Sequence, residues 1–139
     1  MKLRKAIFDD WKILLDWRND PITRENSFET GEVSEQTHKL WFNDSLLNPY
    51  REIYILEDNS TPVGSIRSDK VSTNQYVLSW SIAPNQRGNG YGTKILELFL
   101  QDKTGDFIAE IKPENIASIK MVQKNGFNQL DEIKYIKQQ

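Results

Sequence analysis

Cysteine is absent from the chain and histidine occurs once, at His38. These two lacks exclude disulfides, thiolate metal sites and a cysteine nucleophile, and leave no histidine cluster, so no metal is expected. No apolar run approaches the roughly 18 residues of a membrane span. The opening MKLRKAIFDD turns acidic before a signal-like stretch develops. The chain is therefore expected to be cytoplasmic, without a membrane partner. No sign of charge prevails either: 20 acidic and 18 basic residues give a net charge of −2. They are mixed along the chain without the basic stripe that phosphate backbones attract, so no nucleic-acid partner is expected.

What is present suits one domain spanning residues 1–139. The 37% apolar content can supply a core and the 27% charged content a solvated surface, which excludes disordered and fibrous classes.

Lys2 to Ile7 alternates as a strand does, and Asp9 or Asp10 can then cap a helix with Trp11, Leu14, Leu15 and Trp17 on one side. Asn19 to Val33 is polar, holds Pro21 and Gly31, and reads as an irregular substrate-side loop. Ser34 and Thr37 open a second helix that stops near Asn48 and Pro49. Glu52 to Glu57, Pro62 to Val71 and Tyr76 to Ala83 read as consecutive antiparallel strands. Thr93 to Gln101 is helical, Asp106 to Ile111 a strand, and a last helix from about Asn115 stops at Asn125-Gly126 before final strands around Phe127 to Ile136. This order predicts an α/β fold, α+β in stricter naming, with a mixed sheet and helices on both faces.

Arg87-Gly88-Asn89-Gly90-Tyr91-Gly92 joins a strand to a helix. Free N–H groups at a helix start stabilise a phosphate, glycines permit close approach, and Arg87 adds a charge-assisted donor. A solvated turn is the plain alternative. A Walker loop would need a Gly-Lys-Ser/Thr ending, and the dinucleotide fingerprint a third glycine where Thr93 stands.

The stretch Gln86 to Gly92, with its Arg-x-x-Gly-x-Gly core, resembles the acetyl-CoA pyrophosphate loop of the GNAT superfamily of N-acetyltransferases. Glu110 to Phe127 resembles the same superfamily's next strand and helix. The resemblance implies a mostly antiparallel sheet of about six to seven strands with a splayed central pair. It also implies acetyl-CoA as cosubstrate, held by Ile82 and Ala83, by Arg87 to Gly92, and by Asn115 and Lys124. The implied reaction is direct attack of an amine on the thioester, with Glu110 as base and Ser118 as a donor to the leaving thiolate. Asn115, Ser118 and Val122 share a helix face by spacing. Many relatives carry a tyrosine acid where this chain has Val122.

Trp17, Arg18, Asn19, Arg24, His38 and Trp41 are the distinctive acceptor-side residues. Their arrangement resembles N-acetyltransferases of nucleotide-linked amino sugars and also those of ribosomal proteins. Arg18 and Arg24 can grip a diphosphate while Trp41 stacks on a base or sugar, although tryptophans at helical spacing are more often core. His38 can serve as a base near neutral pH. The alternatives are an N-terminal protein acetyltransferase, a non-catalytic acyl-CoA sensor, and an interaction module whose C-terminal edge strands pair between two copies as a homodimer.

Overall fold

The computed structural model describes residues 1–139. Strand β1 (Lys2–Lys5) leads through a 3₁₀ turn into helices α1 (Trp11–Asn19), α2 (Pro21–Asn26) and α3 (Glu35–Leu47). The strands β2 (Arg51–Asp58), β3 (Thr61–Ser72) and β4 (Gln75–Ile82) follow as a meander. Then come α4 (Tyr91–Leu100), β5 (Asp106–Glu110), α5 (Ile116–Lys124), β6 (Asn128–Gln129) and β7 (Lys134–Gln138). One seven-stranded sheet results, ordered β1-β2-β3-β4-β5-β7-β6. Only β4 and β5 run parallel, joined by the α4 crossover, so the mixed, mostly antiparallel α/β class expected from the sequence is what forms. No helix is long and apolar enough to cross a membrane.

Alternation along β2 assigns the two faces. Ile53 and Ile55 pack with Leu14, Trp17 and Phe42 under α1 and α3, whereas Leu56 joins Ile66, Leu78, Ile95, Phe99 and Phe107 on the α4 side. Phe42 and Phe99 are essentially sealed from solvent, and truncating either to alanine would cost about 3–5 kcal/mol.

Two local expectations change. Asn19 to Val33 is not wholly irregular, because Pro21–Asn26 forms α2. Asp20 caps it, its Oδ2 accepting the Thr23 N–H at 3.1 Å, and Pro21 occupies the first turn, where its missing N–H costs nothing. The helix buries no residue, so no apolar period announced it. Asp10 sits at the start of α1 without capping it. Its carboxylate instead accepts both Arg4 Nη groups at 2.9 Å and the Ile7 N–H at 2.9 Å.

Candidate active site

The sheet opens at one point. β4 and β5 stay in register from Gln75↔Asp106 to Leu78↔Ala109 and then part. Ser79 to Ile82 continue to pair with β3, and Glu110 pairs with Lys134 on β7. Ala83 N–H donates to Val63 O on the β3 side at 2.8 Å. By strand alternation, the N–H and C=O of Ile82 and Trp80 therefore face the gap. An extended, amide-bearing ligand can complete that edge as an added strand.

Beside the gap, the chain turns at Pro84–Gln86 and enters the glycine loop. Gly88 and Gly90 take left-handed φ values of +83° and +77°, and a Cβ on either would meet nothing within 4 Å. The loop thus leaves open space in front of the first N–H groups of α4. Gly92 differs, because a Cβ there would lie 2.6 Å from Met121 Sδ, so it permits the close approach of α4 to α5. Tyr91 anchors the helix start: its hydroxyl donates to Asp58 Oδ2 at 2.6 Å. That bond, with some burial, raises the phenol's pKa above its ordinary value. Asn89 turns back to Gln86 O at 3.1 Å and does not line the cleft.

The gap widens into a cleft of about 910 Å³. Ile82, Arg87, Gly88, Gly90, Tyr91 and Gly92 line one end, and Asn115, Ser118, Lys120 and Lys124 line the α5 wall. Asn115 caps α5 by accepting the Ser118 N–H at 3.3 Å. Ser118 Oγ accepts the Trp80 indole N–H at 3.1 Å, which leaves the serine proton free. Val122 does not share this wall: it has no exposed surface and belongs to the core beneath α4. Ala83 is likewise buried, in the α1–α3 core.

The model of the acetyltransferase (GNAT) domain matches residues 1–128. The chain belongs to the GNAT acetyltransferase family. No curated relative matches it by sequence. Among solved structures, it is similar to an aminoglycoside acetyltransferase, AAC(6')-Ib, in complex with coenzyme A and kanamycin, at TM-score 0.81 and 19% identity, covering 99% of this chain and 94% of that one. It is similar to a ribosomal-protein-alanine N-acetyltransferase from Brucella melitensis at TM-score 0.80 and 21% identity, covering 100% of both chains. An N-acetyltransferase from Staphylococcus aureus Mu50 has TM-score 0.79 and 20% identity, with 99% and 97% covered. The open β4 edge and the glycine loop fit a molecule such as the coenzyme A bound in the AAC(6')-Ib complex.

The far end of this GNAT cleft holds part of the expected acceptor set. Glu110, Arg18, His38 and Trp41 line it. Trp17 does not, being 5% exposed within the core. Asn19 braces the α2 segment, its amide bonding both Val33 N–H and Val33 O at 2.8 Å. Arg24 stands outside the cleft, 3.5 Å from Glu32. His38 Nε2 donates to Trp11 O at 2.9 Å, and burial lowers the imidazole pKa against the opposing pull of that bond. The ring is therefore neutral at pH 7. Sequence reasoning missed Arg67, which lines the cleft from β3. Its only sequence signal is a charge at an inward position of the Ser65-x-Arg67-x-Asp69 alternation.

Proposed function

We propose that this GNAT enzyme moves an acetyl group from acetyl-CoA directly to the primary amine of a small acceptor, with nucleotide-linked amino sugars as the acceptor class. The observation that carries the reading is the parting of β4 from β5 after Leu78 and Ala109, next to the left-handed glycine loop at the start of α4. Main-chain N–H groups from Gly88 to Gly92, with Arg87, suit a pyrophosphate, and the Ile82 edge suits the pantetheine amides. Lys120 and Lys124 on the cleft rim suit the remaining phosphate.

In the transfer, the amine nitrogen bonds to the acetyl carbon, the carbon–sulfur bond breaks, and the amine proton passes to a base. Glu110, exposed at the mouth of the gap, is the base in this reading. The Ser118 hydroxyl, already oriented by Trp80, donates a hydrogen bond to the departing thiolate, which takes its proton from water while Glu110 releases the amine's proton to solvent. A thiol of pKa about 8.5 needs little such help, so burial of Val122 in place of an acid is tolerable.

That same Val122 is the observation favouring a second reading, a non-catalytic acyl-CoA sensor. Incubation with acetyl-CoA and a panel of amino-sugar nucleotides, peptides and polyamines, followed by thiol release, separates the two. Turnover of an amino-sugar nucleotide is expected. Coenzyme binding without turnover of any amine would overturn the enzymatic reading, and turnover of peptides alone would replace the acceptor.

A further inference from the structure

We infer that Arg67 selects the acceptor, receiving a phosphate group carried by the same molecule whose amine is acetylated. The inference rests on the acyl-transfer reading above and adds a subsite to it.

Position is the first ground. Arg67 lies on β3 opposite Ser79, the first β4 residue beyond the point where β5 departs, and opposite Ile53 on β2. It shares the α1–α3 side of the cleft with His38, Trp41 and Arg18. The strand bearing Glu110 is two positions along the sheet, at least about 10 Å away at ordinary interstrand spacing. A phosphorylated amino sugar can span that interval with its amine toward Glu110.

Charge is the second ground. One carboxylate, Asp69, serves two guanidinium groups, with Arg51 Nε at 2.5 Å and Arg67 Nε at 3.1 Å. Arg51 takes the shorter contact with that carboxylate and also donates to Ser45 Oγ at 2.9 Å. Arg67 Nε is shielded from solvent, and its ion-pair contact with Asp69 is too poorly aligned to satisfy it as a hydrogen bond. The cluster thus carries one surplus positive charge, and it resides on the guanidinium that faces the cleft. Both guanidinium groups lie 5.5 Å from the Trp41 ring centroid, so the ring holds the fork in place by cation–π attraction. A partly desolvated guanidinium that shares its one carboxylate with another arginine has donors to spare, and a ligand's oxygens can satisfy them. Its planar donor array matches a phosphate in two-point contact.

The surroundings agree. Arg18 Nη1 is a second shielded donor without a partner on the same wall. Five cations line the cleft (Arg18, Arg67, Arg87, Lys120, Lys124) against two carboxylates, Glu29 and Glu110. The whole chain has a net charge of −2. A polycationic acceptor would meet repulsion there. Burial lowers the proton affinity of Arg67, Asp69 raises it, and Arg51 lowers it again. An incoming dianion would offset the first and third of these by its opposite charge.

The test compares kcat/KM for glucosamine, glucosamine 1-phosphate, a nucleoside-diphosphate-linked glucosamine and kanamycin, in the wild type and in Arg67→Gln and Arg67→Lys. The wild type is expected to prefer at least one phosphorylated acceptor to glucosamine by about tenfold or more, through KM, and to disfavour kanamycin. Which phosphorylated arm responds separates a monophosphate from a diphosphate. Arg67→Gln should bring the preference toward unity without weakening acetyl-CoA binding, and Arg67→Lys, with charge but no fork, should fall between. An unchanged preference in a folded Arg67→Gln sample would overturn the subsite. If Arg67→Gln unfolds, full preference in Arg67→Lys would overturn the fork's role. If no sugar is acetylated, calorimetric titration of glucosamine 1-phosphate into the coenzyme-saturated protein decides. Heat that depends on Arg67 sustains the subsite and sinks the reaction, whereas absence of heat sinks the subsite.

Discussion

Arg87 Nη2 donates to Asp20 Oδ2 at 2.6 Å and to Thr23 Oγ1 at 3.0 Å, tying the glycine loop to the N-terminus of α2. Burial opposes ionisation of Asp20, but Arg87 and the Thr23 N–H outweigh it and hold the carboxyl below its usual range. A pyrophosphate arriving at Arg87 must therefore displace or share an anionic partner. Asp20→Asn keeps a capping oxygen and removes the competing charge. Coenzyme A should bind this variant about fivefold more tightly by calorimetry at low salt, an effect of about 1 kcal/mol. Weaker binding would mean that Asp20 positions Arg87 for its ligand.

Gly90→Arg places a side chain in the open space before α4. The strain at φ +77° should cost about 1–2 kcal/mol of stability. Retention on immobilised coenzyme A should be lost while the far-ultraviolet circular dichroism stays native. A retained, folded variant would remove the glycine loop as the phosphate site.

Glu110→Gln removes the proposed base and keeps the shape of the cleft mouth. The rate constant should fall about a hundredfold with little change in coenzyme affinity. If the pH–rate profile keeps its acid limb in the variant, the base lies elsewhere.

His38 is the only histidine, so its ring protons give unambiguous resonances. Burial holds its folded-state pKa below the ordinary imidazole value of about 6.5. The unfolded chain therefore takes up a proton first as pH falls, and stability should decline below about pH 6.5 until the folded ring also titrates. His38→Asn should flatten that slope in thermal melts. A ring titrating at or above 6.5 in the native protein would contradict the buried, neutral assignment.

Much of the frame was legible because it rests on local signals. Hydrophobic periodicity located α1 and α4, start and stop signals located α3, alternation located β2 to β4, and Asn125-Gly126 marked the end of α5. Helix α2 escaped because a six-residue polar helix held by Asp20 and Pro21 leaves no apolar stripe. Within the site, Ser118 and Val122 looked alike by spacing, yet one lines the cleft and the other has no exposed surface. Arg18 and Arg24 looked interchangeable as cations, but only Arg18 reaches the cleft. Trp17 and Trp41 separate in the same way, into core and cleft wall.

The sequence by itself determined the conformation on which the proposed donor end rests, since Arg87 to Gly92 need only their own backbone freedom and the helix they begin to present N–H groups to an anion. Tertiary structure decided the acceptor end. There Arg67 becomes significant only because strand pairing sets it beside Arg51, Asp69 and Trp41. The pairing of Arg51 with Asp69, far apart in sequence but opposite in register, leaves the neighbouring guanidinium without a full partner. No local pattern encodes a charge balance summed over strands and a helix that meet only in the folded chain.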